Sequence, residues 1–251
     1  PWSAYQDIFL TDRRTQEGVA FWQSNRSALD RVSAETGVPA HIIVAIIGVE
    51  TYYGRITGSY RVVDALSTLA FDYPRRSKFF TKELEIFLEL AYRAELPVGE
   101  LKGSYAGAMG LGQFMPSSYQ AYAKDFEGDG VIDIWTNPHD AIMSVANYFV
   151  AHGWRPGEDV ITAARFTGDA SLFDAGLKPK MSVAHFTEQG LVPVQEVTAT
   201  ALVTPIKFEG KQGDEYWLGL HNFYVITRYN HSAMYAMAVH QLSEALRTRM
   251  L

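Results

Sequence analysis

Glu50 ends the stretch Ala40 to Glu50, in which Ile42 to Ile47 are all apolar, and it falls one turn after Ile46 and Ile47. An ionised carboxylate is costly to desolvate, so such a position favours the protonated form and a raised pKa, which suits a general acid at neutral pH. The polar and aromatic residues that follow, Thr51-Tyr52-Tyr53-Gly54-Arg55, are the surroundings expected of a cleft. An ion pair with Arg55 or Arg61, or a solvent-facing helix end, accounts for the same carboxylate without any chemistry.

A second cluster is Asp125-Phe126-Glu127-Gly128-Asp129-Gly130-Val131-Ile132-Asp133. It resembles the opening of an EF-hand loop, with carboxylates at positions one, three, five and nine, glycine at six and an apolar residue at eight. Thr136 replaces the glutamate of position twelve, and Asp140, in the first turn of the next expected helix, could close the loop instead. Crowded carboxylates repel one another without a cation, and an all-oxygen donor set favours calcium. The alternative is an acidic, solvated turn. Arg75-Arg76, with Lys78 nearby, is a basic cluster suited to an anionic group such as a carboxylate, or simply to solvent.

The elements that must position these groups are mostly helical. Residues from Tyr5 to about Ala34 show a helical period. Ala40 to about Tyr53 reads as a buried helix, with Pro39 near its first turn and Gly54 past its end. Residues 81–96 form an amphipathic helix, and Asn137-Pro138 opens another that stops at Gly153. The glycines between Gly103 and Gly112 predict a tight turn feeding a short helix, with its backbone close to something else. Residues 191–209 and 215–229, rich in Val, Thr, Tyr and Ile, read as a small antiparallel sheet around the turn Gly210–Gly213, before a last helix capped by Ser232. The fold class is therefore α+β, mostly helical.

The 251 residues, 47% of them hydrophobic and 20% charged, support a substantial core and exclude a disordered chain. No apolar run is long enough to span a membrane. The net charge of −6 argues against nucleic acid as a partner. With no cysteine, disulfides, thiolate metal sites and a cysteine nucleophile are excluded. The seven histidines show no metal-ligand spacing, and no nucleophile elbow, P-loop or dinucleotide fingerprint occurs. The 5 Trp, 14 Tyr and 14 Phe fill a core or line a groove for flat ligands such as sugars. Yet no second acid partnered to Glu50 can be read from spacing, although ordinary glycoside hydrolysis uses two carboxylates. The chain begins at Pro1, as expected of a processed or trimmed product.

The strings 48–76, GSYAGAMGLGQFMPSSY (103–119), DFEGDGVIDIW (125–135) and ITRYNHSAMYAMAV (226–239) together resemble the membrane-bound lytic transglycosylase B family of peptidoglycan-cleaving enzymes. The resemblance runs in matching order from about Tyr5 to the C-terminus. It implies an additional helical part at 1–35 and 62–100, a lysozyme-like core at 36–61, 101–190 and 222–251 carrying the EF-hand-like loop at 125–140, and a small antiparallel β part at 191–221. It also implies cleavage of the β-1,4 bond between N-acetylmuramic acid and N-acetylglucosamine without net addition of water, leaving a 1,6-anhydromuramoyl product. Glu50 matches the family's single acid/base, which agrees with the missing second acid.

Position by position, the resemblance implies that Ser104 and Gln113 face the sugars. Tyr5, Tyr148, Tyr229, Asn230 and Tyr235 match the lining of the saccharide groove, and Arg75 and Arg76 fit a basic pair near the lactyl carboxylate or peptide stem. Asp125, Glu127, Asp129, the Val131 carbonyl and Asp140 would hold a structural Ca²⁺. The expected partners are peptidoglycan glycan strands, and beyond them cell-wall synthesis or remodelling proteins. The expected location is the bacterial envelope, in the periplasm, with an outer-membrane lipid anchor left open for a longer precursor. Two other readings are a hydrolytic muramidase, in which Asp64 or Asp72 serves as second acid, and a non-catalytic, calcium-stabilised peptidoglycan-binding protein.

Overall fold

The computed structural model describes all residues, 1–251. In chain order the elements are α1 (Trp2–Phe9), α2 (Asp12–Ser24), α3 (Arg26–Thr36), α4 (Ala40–Thr51), β1 (Tyr60–Arg61), α5 (Val62–Asp72), α6 (Ser77–Arg93), β2 (Lys102–Gly103), α7 (Pro116–Tyr122), α8 (Pro138–Ala151), β3 (Ile161–Phe166), β4 (Met181–Ser182), α9 (Val183–Glu188), β5 (Leu191–Pro193), β6 (Leu202–Gly210), β7 (Gly213–Gly219), α10 (His221–Tyr229) and α11 (Ala233–Met250). The chain divides into two compact units, one of Glu17–Ala151 and one of Pro1–Gln16 with His152–Leu251.

In the first unit α4 is the buried axis. Ile42 to Ile47 are at most 2% exposed, as a helix apolar on every side requires. Helices α3 and α8 pack on it, while α5 and α6 pair and α7 lies against α6. The two-stranded ladder β1–β2 pairs Tyr60 with Gly103 and Arg61 with Lys102, bringing the glycine-rich segment alongside the α4–α5 connection. The stretch from Tyr5 to Ala34 is helical, as its period predicts, and is divided among α1, α2 and α3. The Thr11 hydroxyl accepts from Arg14 N–H at 3.1 Å and starts α2 afresh. Gly37, left-handed at φ 73°, ends α3. Helix α5, whose N-terminal valines favour strands, lies within the span 62–100 for which the resemblance implies a helical part.

The second unit holds a five-stranded antiparallel sheet in the order β4-β6-β7-β3-β5. Its core is Val183, Phe186, Leu191, Val203 and Leu218, with Phe166 and Tyr216 packed against it. The hairpin β6–β7 turns at Gly210–Gly213, as its glycines predict. Two expectations fail here. Strand β3 is part of the sheet, which therefore begins well before residue 191. Residues 221–229 form helix α10, not a strand, because tertiary anchoring overrides β propensity. Asn222, fully buried, accepts from Arg155 N–H and donates to the Arg155 and Glu158 carbonyls, while Phe223, Val225 and Ile226 enter the core. Trp2 of α1, 1% exposed, stacks on Phe208 at 4.8 Å. No single helix is long and apolar enough to cross a membrane.

Candidate active site

Glu50 lies in the last turn of α4 and is half-buried, where the interior of the first unit gives way to its surface. The helix stops because Tyr52 and Tyr53 both adopt left-handed backbone, at φ 52° and 60°, a conformation uncommon outside glycine. Amides of the turn return to the open carbonyls: Tyr52 N–H donates to Gly48 O at 3.1 Å and Tyr53 N–H to Ile47 O at 3.3 Å. Thr51 is buried and joins this turn to the glycine-rich segment, its hydroxyl donating to the Leu111 carbonyl at 2.8 Å.

The glycine-rich segment is folded on itself through the bridges Gly103–Met109 and Met109–Phe114. At Gly110, φ is 74° and a Cβ would lie 2.4 Å from the Ile134 carbonyl oxygen, so only glycine lets the two backbones meet there. Ser104 holds its own turn, accepting from Ala106 N–H at 3.2 Å and Ala108 N–H at 3.0 Å. Gln113, left-handed at φ 54°, donates from Nε2 to the carbonyls of Thr57 at 3.1 Å and Gly110 at 3.0 Å. Ser104 and Gln113 thus brace the glycine-rich segment, and Gln113 ties it to Thr57 in the loop that follows Glu50.

Arg75 and Arg76 sit on the short helical turn Pro74–Arg76 before α6 and are exposed. The Arg76 guanidinium lies over the Phe79 ring at 4.3 Å. A cavity of about 610 Å³ is lined by Arg75, Arg76, Lys78, Phe79, Lys82, Glu83, Ile86 and Ser117, so its cations outnumber its single carboxylate, which suits an anion with an apolar body. In its wall Glu83, 3% exposed, caps α7 by accepting from Ser117 N–H at 2.9 Å and from its hydroxyl at 2.5 Å. That cap escaped the sequence reading, since only the fold brings residues 83 and 117 together.

The acidic loop is wound around its own carboxylates. Asp125 accepts from Gly128 and Gly130 N–H, and Asp129 from Val131 N–H. Asp140, 1% exposed, accepts from Phe126 N–H with one oxygen and from Asp133 N–H with the other, both at 2.8 Å. Carboxylate oxygens of Asp125, Glu127 and Asp140 lie within 4.8 Å of one another. Oxygens sharing a calcium ion at 2.3–2.6 Å can stand about 5 Å apart at most, so the spacing fits. Burial raises the Asp140 pKa, the Asp133 and Phe126 amides oppose the rise, and the negative charges of Glu127 and Asp125 add to it. For Asp125, burial is outweighed by the amides of Gly130, Gly128 and Asp129, which hold it below the usual carboxylate range. Asp133 is occupied by the Trp135 and Thr136 amides, and Val131 is exposed.

The expected groove residues are distributed between the two units. Tyr148, on α8 of the first unit, is 9% exposed and meets Phe114 and Tyr122 at ring distances of 6.2 and 5.0 Å. Tyr5, Tyr229, Asn230 and Tyr235 belong to the second unit. Tyr5 is half-buried beside Trp2 and Phe9. Tyr229 ends α10, Asn230 follows it and is exposed, and Tyr235 is buried in α11. Asp64 and Asp72, the candidate second acids, are both exposed on α5.

The family described as "Transglycosylase SLT domain" matches residues 1–244. The chain is 49% identical over 245 residues to the membrane-bound lytic murein transglycosylase B of Escherichia coli (strain K12), covering 98% of this chain and 67% of that protein. Among solved structures, the soluble lytic transglycosylase SltB1 from Pseudomonas aeruginosa is 54% identical, covers 100% of this chain and 84% of its own, and superposes with a TM-score of 0.94. The Escherichia coli lytic transglycosylase Slt35, solved in complex with calcium and with bulgecin A, is 49% identical over 99% of this chain and 78% of its own, with a TM-score of 0.93. The α+β, lysozyme-like architecture and the enzyme class follow from these likenesses. The chain belongs to the transglycosylase SLT domain family and is a lytic murein transglycosylase.

Proposed function

We propose that Glu50 is the single acid/base of a non-hydrolytic cleavage of peptidoglycan between N-acetylmuramic acid and N-acetylglucosamine. The observation that supports this assignment is the placement of one half-buried carboxylate at the end of α4, whose residues 42–48 are all buried, where a left-handed turn and the glycine-rich segment converge. Glu50, protonated, donates to the glycosidic oxygen as the C1–O bond breaks, and the muramic N-acetyl oxygen stabilises the cationic C1. The resulting carboxylate takes the proton of the C6 hydroxyl as O6 bonds to C1. Glu50 is thereby returned to its acid form, and no water is consumed. One carboxylate suffices because the substrate supplies the nucleophile and the stabilising amide. Glu50→Gln should retain the fold and saccharide binding while losing about 10³-fold or more in turnover. Substantial residual turnover would remove Glu50 from this role.

In the unit that carries Glu50, Ser104 and Gln113 meet the sugars and the buried Tyr148 backs them; in the other unit Tyr5, Tyr229 and Asn230 offer saccharide contacts and the buried Tyr235 backs them. Arg75 and Arg76 take the lactyl carboxylate or stem peptide; their open cavity and cation–aromatic stacking support this role. Asp125, Glu127, Asp129, the Val131 carbonyl and Asp140 hold a structural Ca²⁺, supported by the mutual spacing of three of these carboxylates and by the calcium complex of Slt35. The cation offsets the repulsion within the loop and takes no part in bond cleavage. The glycan strand in the periplasm is the substrate, and the relative named as membrane-bound supports a location in the bacterial envelope.

A further inference from the structure

We infer that Thr51 is a positioning residue for Glu50, its side-chain hydroxyl locking the end of α4 onto the glycine-rich segment. The inference rests on the assignment of Glu50 above. Thr51 is 1% exposed, and its Oγ1 has three neighbours. It lies 2.8 Å from the Leu111 carbonyl and 3.2 Å from the Ile47 carbonyl, and it accepts from Gly54 N–H at 3.0 Å. The hydroxyl has one proton, and the shorter contact assigns it mainly to Leu111.

These contacts fall at a point of backbone strain. Two consecutive tyrosines, Tyr52 and Tyr53, are left-handed directly after Thr51, a conformation that persists only where its surroundings dictate it. The Thr51 carbonyl accepts from Ile56 N–H at 2.9 Å, and the Thr51 hydroxyl takes the Gly54 amide, so both ends of the turn return to one residue. The Tyr53 ring folds back over Gly48, where an added Cβ would stand 2.6 Å from a ring carbon, and packs near Phe21 at 5.8 Å. Leu111 is itself fixed from the other side, its N–H donating to the Ile134 carbonyl at 3.0 Å. One peptide segment therefore ties the strained turn to residues beside the acidic loop. Glu50 is the residue before this clamp and must present its carboxyl group to two different oxygens in turn. A displacement of about 1 Å can cost on the order of 10²-fold in rate.

The test compares Thr51→Val, which keeps the shape and removes the hydroxyl, with Thr51→Ser, which keeps the hydroxyl. Turnover of purified peptidoglycan to anhydro products is measured well below each variant's melting temperature, alongside Phe87→Leu, a buried α6 variant chosen to lower stability by a similar margin. Thr51→Val should lose about 30-fold or more in kcat with KM within about twofold. Thr51→Ser should recover most of that loss, and Phe87→Leu should keep the wild-type kcat. The inference is overturned by a kcat for Thr51→Val within about threefold of wild type, by an equal loss in Thr51→Ser or in Phe87→Leu, or by a loss residing in KM. If the valine variant does not fold, Thr51→Cys, whose thiol hydrogen-bonds weakly, takes its place in the comparison. An active Glu50→Gln enzyme defeats the underlying assignment; an inactive one with an unimpaired Thr51→Val defeats only this inference.

Discussion

Asp140 offers the sharpest test of how the acidic loop is built, because its carboxylate joins an observed role, accepting two backbone amides, to the proposed one of holding calcium. Each of its oxygens takes a backbone amide at 2.8 Å, from Phe126 and Asp133, and the residue is almost wholly buried. Truncation in Asp140→Ala leaves both amides without that partner, at about 1.5–2.5 kcal/mol each for bonds to a charged acceptor, or about 3–5 kcal/mol together. For a chain of this size about 3 °C accompanies each kcal/mol, so the melting temperature in chelator should fall by about 9–15 °C. Asp140→Asn keeps one acceptor and removes a charge that repels Glu127 and Asp125, and should lose less than half as much. Calcium separates the second duty. At about 100 times its Kd a cation binding only the folded state adds about 2.7 kcal/mol, or about 8 °C, to the wild type. Both variants should lose most of that increment. The assay is thermal unfolding by circular dichroism in chelator and in added Ca²⁺. An alanine variant within about 1 kcal/mol of wild type in chelator would refute the hydrogen-bond reasoning, and a full calcium increment in Asp140→Asn would remove the residue from the ligand set.

Other outcomes follow from single contacts. Glu83→Ala should lower stability by about 3 kcal/mol in urea titration, since it uncaps α7 and orphans the Ser117 amide and hydroxyl, whereas Glu83→Gln should lose less. Burial holds His240 below its usual pKa of 6.5, opposed by Asp159 and Glu244 and reinforced by Arg247. The unfolded chain therefore binds the proton first, so stability should fall as pH drops below about 6.5, and His240→Gln should flatten that dependence. Replacing Arg75 and Arg76 together by Gln should weaken cleavage of peptide-bearing glycan through KM and leave the melting temperature within about 2 °C, because both side chains are exposed. An unchanged KM would return the pair to the solvated surface.

The elements around Glu50 were legible because local chemistry and burial agree there. An unbroken apolar run can only be an interior helix, and α4 ends within two residues of the expected place. The helix opened by Asn137-Pro138 and the Ser232 cap of α11 follow for the same reason, since a cap announces itself in sequence. Residues 221–229 were misread because Val, Ile and Tyr speak for strand until Asn222 is seen hooked into the backbone at Arg155 and Glu158. Among site residues, the acid and the acidic loop stand out by type and spacing. Thr51 did not, for a hydroxyl next to a candidate acid carries no signal until Leu111, sixty residues away, arrives beside it. Tyr148 and Tyr235 were legible as aromatics but not as buried ones.

The central claim is that one carboxylate and the substrate's own hydroxyl complete the reaction without water. Mass spectrometry of muropeptides released from purified sacculi tests it most directly. The account predicts muramoyl ends one water lighter than hydrolytic products, resistant to borohydride reduction, and absent with Glu50→Gln. Reducing muramoyl ends as the main product, with incorporation of label from ¹⁸O-water, would contradict it.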